Sequence, residues 1–364
     1  MRIISNKKIE QFRSKLQEKG IDVALFLTSE PIHDVNIEYF TGFQQPRFFS
    51  FGCLLMTQEK MILTVSPLSY DQTKEVEVDE VINLRDYQNS LTRVLREKLK
   101  GLKTVGVLER IFPCRLYKKF HHIKFQDISN IILGIRSTKE PGEIERIQKA
   151  CGITNHGIKF IEKNLSSKIR EKELALILEQ ELIRKGADEL AFPTVVTSGK
   201  RSAFVHPYPS FTDKKIQEGL GLVDFGVRYQ GYCSDVTVPF AMGKLSRKQE
   251  EIMRTVENAY QEAIENIDIY IPTWKVHDSV ERIIRKNGFE FKHETGHGLG
   301  LDLHDLPPIS SRPKDKEELK DWKETRLKES MVFTIEPGIY TPELGGFRIE
   351  DIFLVTDNGA KVLA

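Results

Sequence analysis

Four acidic residues stand where acids are costly. Asp224 lies beside Leu222, Val223 and Phe225, and Asp235 lies among Cys233, Val236 and Val238. Glu336 follows the run Met331-Val-Phe-Thr-Ile, and Glu350 sits within Gly345-Gly-Phe-Arg-Ile-Glu-Asp-Ile-Phe. A carboxylate facing a protein interior is unfavourable unless a cation or a set of donors compensates it. Four such groups aimed at one place cannot all ionise unaided, because like charges a few ångströms apart oppose each other. Two divalent cations resolve the conflict. A nitrogen ligand is available in Thr295-Gly-His-Gly-Leu-Gly-Leu-Asp-Leu-His, where His297 is flanked by glycines that allow close backbone approach. An oxygen-rich shell with one imidazole suits manganese or cobalt, with zinc as the alternative, better than a thiolate-seeking metal. The chemistry this implies is metal-assisted hydrolysis, in which two ions about 3.5 to 4 Å apart share and deprotonate a water.

Taken singly, each residue has an ordinary structural reading. An interior Asp is more often a hydrogen-bonding or turn residue, Glu336 before Pro337 reads as a strand end, and Glu350-Asp351 as an ion-paired edge. His206, His297 and His304 each read more readily as satisfied structural imidazoles. The joint pattern of five ligand types in matching local contexts favours the metal site.

The elements that must position these residues are two ribbons. Residues 220–240 form an apolar run, a turn and a second β-prone run, which predicts a hairpin. If it turns at Tyr229, Gln230 and Gly231, Asp224 and Asp235 face each other on adjacent strands. Residues 331–355 repeat the layout around a Pro- and Gly-containing turn. Helices precede each ribbon. Glu140-Pro-Gly-Glu-Ile opens one with proline in its first turn, and Ile144, Ile147, Cys151, Ile158 and Ile161 line one face. Residues 172–185 form another, Ser246 caps a third, and Thr273 a fourth. The second half of the chain thus has a duplicated layout of helices plus an acid-bearing hairpin, with a charged insertion at 314–329. The first half alternates strand and helix. A helix is expected over 6–19, strands over 22–28, 50–57, 60–65, 104–108 and 125–128, and helices over 69–74 and 91–100, with an aromatic loop at 36–44. This describes a compact α/β domain, and the character changes at 132–139.

The chain has 364 residues, enough for two cores. With 54 basic and 53 acidic residues its formal charge is +1, so bulk electrostatics recruits neither nucleic acid nor a membrane surface. The four cysteines are scattered without metal-site spacing, and the first eight residues are too short and charged to act as a leader. A reduced, cytoplasmic, non-membrane setting is the expectation.

Leu222-Val-Asp-Phe-Gly with Ser234-Asp-Val-Thr, Thr295-Gly-His-Gly-Leu-Gly-Leu with His304, Phe333-Thr-Ile-Glu-Pro-Gly-Ile-Tyr and Gly346-Phe-Arg-Ile-Glu-Asp together resemble the motifs of the prolidase and aminopeptidase P family of metallopeptidases. More weakly, Asn36-Ile-Glu-Tyr-Phe-Thr-Gly-Phe resembles that family's creatinase-like N-terminal domain. The resemblance implies a creatinase-like α/β domain over 1–133 and a pita-bread catalytic domain over 134–364, its halves related by a pseudo-two-fold. It implies that Asp224 binds one metal, that Asp235 and Glu350 bridge both, and that His297 and Glu336 complete the other shell, with Glu336 also moving a proton. His206 and His304 match substrate-handling positions, and Arg348 matches an arginine placed to grip a carboxylate. The implied activity is cleavage of the bond before proline in a homodimer. The compact length favours a dipeptidase, and an aminopeptidase acting on longer peptides is the alternative. Val238-Pro-Phe in place of the common Arg-Thr, Ser330 in place of a glycine, and Asp305 after His304 depart from the usual pattern and bear on substrate class. A metal-free creatinase-like hydrolase or a non-catalytic scaffold on the same fold would lack the ligands that are present here.

Overall fold

The computed structural model describes residues 3–45 and 51–364. They divide into two compact units, Met1–Arg136 and Ser137–Ala364.

The first unit is built on six strands, β1 (Val23–Ser29), β2 (Phe51–Thr57), β3 (Met61–Val65), β4 (Glu80–Asn83), β5 (Thr104–Val107) and β6 (Lys124–Asp127), in the order β4-β3-β2-β1-β5-β6. β1, β5 and β6 run parallel, as do β3 and β4, while β2 is antiparallel to both its neighbours. Ser50, expected to open β2, lies outside the described residues. Helices α1 (Asn6–Glu18), α2 (Val35–Thr41), α3 (Leu91–Lys98), α4 (Cys114–Lys119) and α5 (Ser129–Ser137) complete the unit. Because β1 is covered on both sides, Val23 to Thr28 are all buried and read as a continuous apolar run. One face packs Leu25 and Leu27 against Val105 and Val107. Phe12 of α1 meets Phe26 of β1 and Phe40 of α2, with ring centroids 5.9 and 4.9 Å away.

Residues 36–44 are not the expected loop. They contain α2, which starts where Asp34 Oδ1 accepts the Asn36 amide at 3.0 Å and ends at Gly42 in the left-handed region (φ 72°). Aromatic residues are weak helix formers, but burial of Tyr39 and Phe40 outweighs that preference. The segment at 69–74 forms a single 3-10 turn over Tyr70–Thr73.

In the second unit, α6 (Pro141–Asn164) begins with a capping box in which Glu143 Oε2 accepts the Glu140 amide at 2.9 Å. α7 (Glu171–Arg184) buries Leu174, Leu178 and Leu182. The first ribbon follows as β7 (Glu189–Leu190), β8 (Val195–Ser198), β9 (Gly219–Phe225), β10 (Val227–Tyr229), β11 (Tyr232–Cys233) and β12 (Val236–Met242). Then come α8 (Arg247–Glu265), capped reciprocally by Ser246 and Gln249, and α9 (Thr273–Lys286), in which Thr273 is the first helical residue and Pro272 the cap. The second ribbon comprises β13 (Gly296–Gly298), β14 (Asp305–Ile309), β15 (Val332–Ile335), β16 (Gly338–Thr341), β17 (Gly345–Arg348), β18 (Asp351–Thr356) and β19 (Gly359–Val362). The charged insertion carries only the short α10 (Glu318–Asp321), and beyond it Leu327 returns to the core. Ile252, Val256, Val276, Val280 and Ile284 from α8 and α9 pack with Phe333, Ile335 and Phe353 under the second ribbon. Among the described residues, no helix is long and apolar enough to cross a membrane.

Both ribbons are interrupted at their acids. Tyr229 pairs with Tyr232 across a two-residue turn, Gln230 and Gly231, both at positive φ. That turn sets the register, which places Asp224 opposite Thr237 and not, as expected, opposite Asp235. Asp235 occupies the gap between β11 and β12, diagonal to Asp224. In the second ribbon Ile335 pairs with Asp351 and Gly338 with Arg348, so Glu336 and Glu350 lie within the break between those pairs. The two ribbons are stitched together at Thr237 and Glu350, whose backbones exchange hydrogen bonds of 3.3 Å in each direction.

Candidate metal centre

The stitch brings the acids of both ribbons to one point. Asp235, His297 and Glu350 each present a ligand atom, all within 4.8 Å of one another. His297 Nε2 lies 3.5 Å from Asp235 Oδ2 and 3.8 Å from Glu336 Oε1. Its Nδ1 is 3.0 Å from the Gly298 carbonyl, which fixes that nitrogen as a proton donor and turns Nε2 toward the carboxylates. The glycines around His297 are required by packing. A Cβ at position 296 would sit 1.9 Å from the Thr334 oxygen, and one at 298 would sit 2.1 Å from the Leu306 carbonyl carbon.

The neighbours of the acids aim them. Ser234 is pinned by its hydroxyl to Thr154 Oγ1 at 2.6 Å and to the Val227 amide at 3.0 Å, which orients Asp235 next to it. Thr237 Oγ1 donates to Glu350 Oε2 at 2.7 Å and accepts from Arg348 Nε at 2.9 Å. The Arg348 guanidinium also donates to the Tyr340 hydroxyl at 2.7 Å and to Asp224 Oδ2. All three of its nitrogens are therefore engaged by the site's own residues, and Arg348 is only 4% exposed. These contacts take three of its five N–H groups. The residue braces Asp224, since its place two residues before Glu350 points it inward.

The charge balance is what a cation site requires. Burial, then the charges of Asp235, Glu336 and Asp224, push Glu350 well above the usual carboxylate range. Burial likewise pushes Asp224 and Glu336 up to about 7, against the opposing pull of Arg348. Burial disfavours the His297 imidazolium, yet Asp235 and Glu336 outweigh it and raise the group to about 9. Asp224 Oδ1 is buried and has no hydrogen-bond partner. An orphaned carboxylate oxygen is costly, and beside crowded acids it is an atom that could serve as a cation ligand. The oxygen-rich donor set with one imidazole fits hard or borderline divalent metals.

His304 and His206 stand further out, both exposed. The His304 ring lies 4.1 Å from that of His297, and burial followed by the His297 charge lowers its pKa. His206 is on the loop after the 3-10 turn Gly199–Ala203 and acts electrostatically on His304 and His293.

Sequence reasoning missed Thr237, Tyr340 and His293. Burial drives His293 down to about 3, so it is neutral. Its Nδ1 lies 2.7 Å from the Glu294 carbonyl and 4.0 Å from Glu336 Oε2, while Nε2 is buried without a partner. Its spacing four residues before His297 was the one available signal.

Residues 145–357 match metallopeptidase family M24, and residues 8–138 match the Creatinase/Prolidase N-terminal domain. A Xaa-Pro dipeptidase of Pyrococcus horikoshii is 33% identical over 99% of this chain and 97% of its own. The solved prolidase from Pyrococcus furiosus superposes with a TM-score of 0.83 at 32% identity, covering 96% of this chain and 98% of that one. An X-Pro aminopeptidase from Thermotoga maritima gives 0.82 at 29% identity, covering 98% and 96%. With this ligand geometry and these matches, the chain belongs to metallopeptidase family M24 and is a peptidase.

Proposed function

We propose that the chain is a dinuclear Xaa-Pro dipeptidase holding two divalent ions, manganese or cobalt in preference to zinc. The observation that carries this is the convergence of Asp235, His297 and Glu350 with the unpartnered Asp224 oxygen and Glu336. Asp224, Asp235, His297, Glu336 and Glu350 would hold the ions, with Asp235 and Glu350 shared. When bound, the ions supply a water made acidic enough to attack at neutral pH and a counter-charge for the developing oxyanion.

The remaining work falls to the protein. Glu336, within reach of both His297 and His293, is placed to accept a proton and return it to the departing nitrogen. Neutral His293, whose Nδ1 donates to the Glu294 carbonyl, offers an unpartnered Nε2 as an acceptor for a substrate N–H. His206 and His304, exposed at the outer edge, are suited to the substrate's polar ends. Arg348 opposes the protonation that burial favours at Asp224 and holds that carboxylate in place.

The relatives named Xaa-Pro dipeptidase and prolidase support the dipeptide substrate. The aminopeptidase structure keeps a second reading in view, removal of an N-terminal residue from longer peptides. Chromatographic assay of Ala-Pro against Ala-Pro-Ala with added manganese separates them. Turnover of the dipeptide alone is expected, and turnover of only the tripeptide would transfer the assignment to the aminopeptidase. The family resemblance also supports a cytoplasmic homodimer, which sedimentation of the purified chain would check.

A further inference from the structure

Residues 299–304, between β13 and β14, form neither helix nor strand. They are held instead by groups outside them. From the tip of the first ribbon, the Cys233 amide donates to the Gly300 carbonyl at 2.8 Å, and Arg228 Nη1 donates to the Leu301 carbonyl at 2.6 Å. Arg228 is 5% exposed and also donates to the Gly231 carbonyl at 3.1 Å, so its guanidinium ties the ribbon's turn to the histidine segment. On the other side, Lys139 Nζ lies 3.7 Å from Asp305 Oδ2, with both side chains 1% exposed. Asp305 directly follows His304. The pair packs beneath Gly300, where a Cβ would stand 2.9 Å from Asp305 Oδ2 and 3.3 Å from Lys139 Nζ. The backbone of Lys139 is itself fixed, its amide donating to the Ser330 carbonyl at 2.7 Å beside the start of β15.

His304 gives these contacts a purpose. Among the described residues no hydrogen bond is made by its ring, which is exposed and lies 4.1 Å from the ring of His297. The direction of an unanchored imidazole is set by the backbone that carries it. We propose that Lys139 and Arg228 are positioning residues for His304: two buried cations that fix the backbone of residues 299–305 and thereby aim the imidazole at the substrate. This rests on the peptidase reading above. Buried ion pairs are poor sources of net stability, and a positional role accounts for retaining one directly beside a functional side chain.

The test is a double-mutant cycle on dipeptide turnover with the full-length, manganese-loaded protein, using Lys139→Met, Arg228→Met, His304→Ala and their combinations. Each single substitution at Lys139 or Arg228 is expected to lower kcat/KM about 10- to 100-fold, as misplacement of a substrate-handling group does. In the His304→Ala background the same substitutions should change it less than about 2-fold, because a group acting through His304 has nothing left to act on. Bound manganese should stay at the wild-type level. Asp305→Glu, which keeps the charge, should recover most of the rate that Asp305→Asn loses, and this pair carries the test if Lys139→Met does not fold. Full additivity with His304→Ala, or wild-type kcat/KM in Lys139→Met, would overturn the proposal. A wild-type chain that cleaves no Xaa-Pro peptide would overturn the functional reading instead. In that case the ring ¹⁵N signal of His304 decides: it should broaden or split in Lys139→Met while that of His206 does not, and an unchanged His304 signal rejects the inference.

Discussion

Replacing Thr237 by valine removes one oxygen and almost no volume, so its effects report hydrogen bonding and leave packing nearly untouched. Thr237 is 3% exposed, and its hydroxyl joins two charged partners, donating to Glu350 Oε2 at 2.7 Å and accepting from Arg348 Nε at 2.9 Å. Hydrogen bonds to charged groups are worth about 1.5 to 3 kcal/mol each, and a buried donor left unmatched adds its own desolvation cost. Arg348 Nε would become such a donor. Two carboxylates then lose support together, Glu350 directly and Asp224 through the displaced guanidinium. Substitutions of groups that orient metal ligands cost about 10- to 100-fold in affinity, or about 1.4 to 2.8 kcal/mol, which lies within what the two hydrogen bonds supply. Competition between the protein and a fluorescent chelator for manganese reads this directly. Thr237→Val should weaken binding by that factor, while Thr237→Ser, which keeps the hydroxyl, should remain within about 3-fold of wild type. Equal manganese affinity in wild type and Thr237→Val would refute the bracing role, as would an equal loss in both variants.

Other outcomes follow from the same geometry. Gly298→Ala places a methyl 2.1 Å from the Leu306 carbonyl carbon, where only backbone can yield, so thermal melting should fall well beyond the ~1 kcal/mol typical of a point substitution; a wild-type melting curve would count against the packing. Asp235→Ala and Glu350→Ala should each abolish peptide turnover and leave less than one equivalent of bound metal by elemental analysis, because each removes a carboxylate facing His297. Near-wild-type turnover in either would remove it from the ligand set. Asp34, buried at the α2 cap, is raised to about 6 by burial, against hydrogen bonds from Asn36 and Leu27. Its native pKa exceeds the unfolded value near 3.9 by about 2 units, so the native state holds the extra proton between pH 4 and 6. The stability difference between wild type and Asp34→Asn, from urea unfolding, should therefore shift by about 2 kcal/mol against wild type as pH rises from 4 to 7; a flat difference would show that Asp34 is not the group responsible.

The parts of this protein that were legible in its sequence are those governed by local chemistry. Acids inside apolar runs, the capping pairs at Glu140 and Ser246, and the glycines around His297 all announce themselves within a few residues. What stayed hidden depends on residues far apart in the chain. Arg348 and Asp224 are 124 positions apart, and Thr237 and Glu350 are 113 apart, so no local pattern shows that the arginine is consumed inside the site. The register of the first ribbon was misjudged by two residues, Thr237 standing opposite Asp224 where Asp235 was expected, because it depends on a two-residue turn at Gln230 and Gly231, whose type is a backbone property. In α2, helix formation is enforced by the burial of Tyr39 and Phe40 against other elements, and residue preference alone pointed to a loop.

The central claim is that carboxylates from two ribbons, joined at Thr237 and Glu350, hold a pair of ions over a shared water. An anomalous-difference map from a crystal of the manganese-loaded protein tests it most directly. The account predicts two peaks, about 3.5 to 4 Å apart, both within bonding distance of Asp235 and Glu350, one against His297 and Glu336 and the other against Asp224. A single peak, or peaks bound by residues other than these, would contradict it.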